Sequence, residues 1–289
     1  MLVLFTDTDT DITPIEAAKY GYKLISMPYI IDGKEIKPYE DFEEFDYKSF
    51  YNTLREGVLP TTCAINSEEY KKYFEPVLKE GNDILYVHFS KAMSGTFNAM
   101  NIAIEELKEM YPDRNIHCID TKGITICSYN IVKEIGELYL QGKTVEEIIE
   151  WSKVEVDKFA TYFYADNLKF FRQSGRVGNF AAIMGNLFGV HPILTMNSDG
   201  VMLSVGKCKG KMNTLRRLVQ YVEELGEDID NHRIIIGHAD ALEIAQTLAN
   251  LLEENIGRKL PIEYVVVNPT AGSHCGPDTI GVCFHAKCR

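Results

Sequence analysis

Short, unbroken apolar runs alternate along the first half of the chain with stretches whose apolar residues recur every three or four positions. Ile84–Val87 is one such run, as expected of a strand covered on both faces. Behind it, Phe97, Met100, Ala103, Ile104 and Leu107 line one face of a predicted helix. Leu2–Phe5 and Ile116–Ile119 read as further buried strands. A helix reaches Leu140, where Gly142 stops it, and another spans Val145–Val156 with Thr144 as its cap. Asp32-Gly33 marks a hairpin turn between the apolar stretch Lys23–Ile31 and Lys34–Ile36, and Tyr47–Leu54 reads as a helix. Strands alternating with helices imply a mostly parallel, helix-covered sheet.

Near Asp157 the pattern changes. Phe159–Tyr164 is a predicted strand, followed by a short helix through Phe171. Phe180, Ile183, Met184, Leu187 and Phe188 then fall on one helical face. Pro192–Met196 and Val201–Val205 flank Asn197-Ser198-Asp199-Gly200, a hairpin signal. Met212–Leu225 and Ala241–Asn255 read as helices, Arg233–Ile236 and Ile262–Val267 as strands. Asn268–Pro277 reads as a glycine-rich connector before a last strand, Thr279–His285. Hairpins mixed with helices suggest a second α/β domain with a mixed sheet. The expected fold class is therefore α/β in two domains, residues 1–157 and 158–289.

Charge and cysteine usage narrow the function classes. A formal net charge of −12 makes nucleic acid and anionic membrane surfaces poor partners. Seven cysteines without a C-x-x-C pair read as reduced thiols, with Cys118, Cys127 and Cys208 as small buried hydrophobes. The sequence opens without a basic n-region or cleavage pattern, so no signal peptide is expected, and a cytoplasmic location is. The longest uncharged run, Val177–Ser198, is broken by Gly178, Gly185, Asn186, Gly189 and Pro192. It reads as buried protein rather than an integral membrane segment.

Candidate chemistry follows by comparison of motifs. No G-x-S-x-G elbow exists, and Ser94 becomes a nucleophile only if His238 or His274 folds against it. His274, Cys275, Cys283, His285 and Cys288 match no zinc spacing, and neither nucleotide fingerprint is present. No metal and no cofactor are therefore expected. The acidic, hydroxyl-rich Thr6–Asp11 segment after the first strand is either a ligand edge or ordinary capping. Thr62, and Ser94-Gly95-Thr96 at a helix start, offer hydroxyls and N–H groups that suit a carboxylate. A carboxylate held there, with an apolar tail walled by Val177–Ser198, is the chemistry of fatty-acid binding. Lys207, Lys209 and Lys211 form either a partner or membrane-headgroup contact or a solvated turn.

Several motifs, in order along essentially the whole chain, resemble the DegV family of bacterial fatty-acid-binding proteins. They are Asp7-Thr8-Asp9 for the family's Asp-Ser-Thr, Thr62-Cys63-Ala64-Ile65-Asn66 for Thr-Ser-Gln-Pro-Ser, and an intact Ser94-Gly95-Thr96. Ser174-Gly175-Arg176-Val177, His191-Pro192-Ile193-Leu194, Lys207-Cys208-Lys209-Gly210 and His274-Cys275-Gly276-Pro277-Asp278 follow. The resemblance implies a carrier for a long-chain fatty acid such as palmitate, without catalysis of its own. Thr62 and Ser94 would hold the carboxylate beside Gly95, Thr96, Arg176 and His274, with the acyl chain in the C-terminal domain. A separate fatty-acid kinase would then phosphorylate the presented acid using ATP. The sequence departs from the family at Lys209, which replaces an arginine, and at all but Thr62 of the Thr-Ser-Gln-Pro-Ser motif. A Ser94-dependent acyl-transfer enzyme and a lipid-free interaction module stand as alternatives.

Overall fold

The computed structural model describes residues 1–179 and 189–289; the helical face expected at Phe180–Phe188 lies outside them. The chain opens with β1 (Leu2–Asp7). Thr13 then caps α1 (Pro14–Tyr20), and Pro14 occupies the first turn, where a missing N–H costs nothing. β2 (Tyr22–Ile25) lies parallel beside β1. The apolar stretch Lys23–Ile31 divides at Pro28, which lacks the N–H that a continuous strand would need. Its remainder is β3 (Tyr29–Ile31), which turns at Asp32-Gly33 into β4 (Lys34–Ile36).

After α2 (Tyr47–Arg55), the two-residue β5 (Thr61–Thr62) returns antiparallel to β3. A capping box between Asn66 and Glu69 starts α3 (Ser67–Lys79). β6 (Asp83–His88), α4 (Thr96–Met110) and β7 (Ile116–Asp120) complete a parallel sheet in the order β2-β1-β6-β7.

α5 (Ile126–Leu140) lies between this sheet and the next. Its apolar side chains pack with Leu4, Leu85 and Val87 on one side and with Phe159, Ile235 and Cys283 on the other. A helix enclosed in this way must be apolar around most of its circumference, and Ile131, Val132 and Ile135 are fully buried. α6 (Val145–Glu155) starts with a second capping box, Thr144 with Glu147. Residue 157, where the sequence pattern changes, lies in a 3-10 turn, Val156–Lys158.

The second half contains β8 (Phe159–Tyr164), α7 (Lys169–Ser174), β9 (Val190–Met196), β10 (Met202–Lys209) and α8 (Lys211–Leu225). β11 (Ile234–His238), α9 (Leu242–Ile256), β12 (Ile262–Val266), α10 (Pro269–Cys275) and β13 (Ile280–His285) follow. Its six strands run in the order β10-β9-β8-β13-β11-β12, and β11–β12 is the parallel pair. The expected α/β architecture, a parallel sheet first and a mixed sheet second, is the one observed.

Three local expectations are corrected. The glycine-rich stretch before the last strand is a helix, α10, because the Asn268 side chain accepts from the Ala271 N–H and Pro269 starts the turn. Gly276 ends it at φ 76°, and a Cβ there would come within 2.2 Å of the Phe170 ring. The lysine patch is not a turn: Lys207 and Lys209 lie on β10 and Lys211 opens α8. β10 is a sheet edge, where lysines discourage pairing with another chain. Cys127 is buried as expected, but Cys118 is exposed on the edge strand β7 and Cys208 is only half-buried on β10. No described helix is long and apolar enough to cross a membrane.

Candidate functional site

Two hydroxyl-bearing loops meet at the end of the parallel sheet. The first carries Thr62, fixed by pairing with Tyr29 of β3. Asn66, four residues on, is occupied in capping α3: its side chain accepts from the Glu69 N–H at 3.0 Å. The second loop carries Ser94, an extended residue between the 3-10 turn Lys91–Met93 and α4. Its Oγ accepts from the Thr96 N–H at 3.3 Å, and no cap hydrogen bond comes from Gly95, the N-cap residue. Thr96 joins the two loops. Its buried hydroxyl donates to the Ile65 carbonyl at 3.2 Å and lies 3.2 Å from the Tyr70 hydroxyl.

α10 brings a third group. His274 Nε2 lies 2.9 Å from Thr62 Oγ1. Burial, reinforced by the nearby Arg176 guanidinium, pushes the His274 imidazole down to about 4, so it is neutral at neutral pH. Arg176 is itself exposed, with Nη1 donating to the Ser174 carbonyl.

These groups border one cavity, with about 960 Å³ of non-atom space when its open mouth is included. Thr62, Ser94, Thr96, Arg176 and His274 all line it. Ser94, Gly95 and Arg176 also border a shallower depression alongside, with Lys91, Asn98 and Asn101. Gly95 touches only that depression. The exposed Arg176 and half-buried Thr62, Ser94 and His274 therefore form the rim. Inward, the wall is apolar, with Met27, Phe89, Phe163, Phe171, Met202 and Val267. A hydrogen-bonding rim over an apolar interior suits a ligand with one polar end.

The cavity also includes residues that the motif reading did not place in a site. Asp9, Thr125 and Thr270 line it from three different elements, and all of the Asp7–Asp11 segment is buried. Asp7 Oδ2 accepts from the Tyr86 hydroxyl at 3.0 Å and from the Phe89 N–H at 3.2 Å. Capping statistics and ligand-edge statistics treat such a segment alike, so only the fold separates its three carboxyls.

Ser94 has no base. Among the described residues, no hydrogen bond joins it to a histidine: His274 is held by Thr62, and His238 Nδ1 accepts from the Ala241 N–H at 3.3 Å. The C-terminal histidine and cysteines do not converge. His285 is engaged by Glu227 and Glu155, and no described group of three or more His, Cys, Asp or Glu is placed to hold a metal.

A family model described as an uncharacterised protein of the DegV family matches residues 1–287. A DegV domain-containing protein of Clostridium perfringens is 34% identical, covering 98% of this chain and 96% of its own length. A fatty acid binding DegV family protein from Streptococcus agalactiae superposes with a TM-score of 0.84 at 26% identity, covering 99% of each chain. A stearic acid-binding protein from Eubacterium ventriosum gives a TM-score of 0.87 at 21% identity, again over 99% of each chain, and shares the fold.

Proposed function

This chain belongs to the DegV family, and from that premise we propose that it binds a long-chain fatty acid such as palmitate and carries it without transforming it. The observation that carries this reading is the cavity itself: a rim of Thr62, Ser94, Arg176 and His274 over an apolar interior. The carboxylate sits at the rim, accepting from the Thr62 and Ser94 hydroxyls. The Arg176 charge favours the anion, and neutral His274 orients the Thr62 hydroxyl. The tail lies inward against residues of the second sheet, so the rim draws on both halves, Thr62 and Ser94 from residues 1–157 and Arg176 and His274 from residues 158–289, and the tail chamber largely on residues 158–289. Burial of each methylene contributes about 0.8 kcal/mol, and each head-group hydrogen bond about 1 kcal/mol. Tail burial therefore supplies most of the affinity, and the rim fixes the direction of entry.

The bound acid is presented at the rim to a separate ATP-dependent fatty-acid kinase in the cytoplasm. That step rests on the resemblance of the motifs. Native mass spectrometry of the purified protein, with denaturing extraction alongside, tests the binding. A fatty acid at near one per chain supports it, and an empty protein that also refuses added palmitate refutes it. Acyl phosphate formed only when loaded protein, ATP and a kinase are combined tests the presentation.

A further inference from the structure

The three aspartates of the segment after β1 are not equivalent. Asp7 is held by Tyr86 and Phe89, and Asp11 by Asn268. Asp9 lies between them and lines the cavity, 6% exposed, with Oδ1 lacking any hydrogen-bond partner among the described residues. It also stands where the Asp-Ser-Thr motif carries threonine, so the carboxyl is a departure of this chain from the pattern it otherwise follows.

Its position relative to the rim follows from α10. The carbonyl of Asp9 accepts from the Thr125 N–H at 2.9 Å, and Asp11 bonds Asn268 at the start of α10. His274 sits near the other end of that helix, roughly 9 Å of helical rise from Asn268. Asp9, Ile126, Thr161 and Thr279 are all buried, unlike the rim, and Thr125 beside them is half-buried. The interior end of the cavity is thus not purely apolar, and a plain alkyl chain reaching it would leave the Asp9 carboxyl unsatisfied.

We propose that Asp9 makes this cavity selective for an acyl chain bearing an oxygen function away from its carboxylate, a mid-chain hydroxy fatty acid in particular. Burial, and then the neighbouring Asp7 and Asp11 carboxyls, hold Asp9 well above the ordinary carboxylate range. A neutral carboxyl both donates and accepts, as a hydroxyl does, and the two satisfy each other. The proposal rests on the fatty-acid reading and narrows its ligand class.

The test is competitive displacement of a fluorescent fatty acid by octadecanoic acid and by its 2-, 9-, 10- and 12-hydroxy derivatives, with wild type and Asp9→Thr. At least one of the 9-, 10- and 12-hydroxy acids should displace about tenfold better than octadecanoic acid, about 1.4 kcal/mol, and the 2-hydroxy acid should not. In Asp9→Thr the preference should largely vanish, with octadecanoic acid binding better than it does to wild type. Wild type preferring octadecanoic acid, or failing to distinguish the series, overturns the proposal and leaves fatty-acid binding standing. A preference that persists unchanged in Asp9→Thr overturns the role of Asp9. No binding of any acid removes both readings. If Asp9→Thr does not fold, the wild-type series alone decides selectivity, and Asp9→Ala, which offers the chain no polar side-chain atom, decides the role of the carboxyl.

Discussion

Asp11 and Asn268 meet across 257 positions of sequence. One carboxylate oxygen of Asp11 accepts from the Asn268 backbone N–H at 2.8 Å and from its side-chain amide at 2.7 Å. The same Asn268 side chain accepts from the Ala271 N–H at 2.9 Å and so caps α10. The segment after β1 therefore fixes the helix that carries His274.

This pairing has a pH signature. Burial pushes the Asp11 carboxyl up to about 7, and the Asn268 donors only partly offset it. Its folded pKa lies above its unfolded value of about 3.9, so the native state binds the proton more tightly. The stabilisation is full below about pH 4 and is lost as pH rises through about 7. Denaturant unfolding of wild type and Asp11→Asn between pH 4 and 8 checks this. Wild type should lose stability relative to the variant as pH rises, by up to about 1.4 kcal/mol per pH unit. Parallel curves would contradict the assignment.

At the rim, Ser94→Ala should weaken palmitate binding about fivefold, matching one hydrogen bond of about 1 kcal/mol, and Thr62→Ala should act similarly. Neither should abolish it. A Ser94→Ala titration indistinguishable from wild type would remove the assigned head site.

Affinity should climb with tail length. Each added methylene is worth about 0.8 kcal/mol, close to fourfold, until the chamber is full, after which the gain should stop or reverse. Calorimetry across saturated acids from lauric to stearic reads the slope and the break. A flat series would mean that the tail is not buried in the cavity.

Thr96 should behave differently from Ser94. Its hydroxyl joins two loops and is fully buried, so Thr96→Val should cost about 1–3 kcal/mol of stability by leaving the Ile65 carbonyl unsatisfied. Palmitate affinity of the folded variant should change less than in Ser94→Ala. Measuring both by thermal unfolding and titration separates the residue that shapes the site from the one that meets the ligand.

Much of the fold was legible because the signals were local. The Asp32-Gly33 hairpin, the Thr144 cap and the amphipathic face of α4 each depend on residues within a turn or two of one another. The same locality explains the failures. The Asn268–Pro277 stretch has the composition of a connector, but Asn268 and Pro269 supply a helix start and Phe170 packs against its end. The lysines at 207 and 209 look like a turn until β9 pairs with them through the sheet. At the site, Thr62, Ser94, Arg176 and His274 were found through motif resemblance, and the structure gathers them around one cavity. Asp9 was not singled out, because nothing in Asp7-Thr8-Asp9-Thr10-Asp11 says which carboxyl will find partners in β6 or α10 and which will find none.

The position of β13 also bears on how the molecule comes into being. It is the last strand of the described chain, yet it lies inside the second sheet, paired with β8 on one side and β11 on the other. A ribosome emits β8 more than a hundred residues before its neighbour. Until then β8-β9-β10 and β11-β12 have no strand to join them, and the second wall of α5 is incomplete. The nascent chain can build the parallel sheet during synthesis, but it must hold part of the apolar surface of α5 uncovered until β13 emerges. The cavity, bounded by both halves, is thus completed only once β13 is in place.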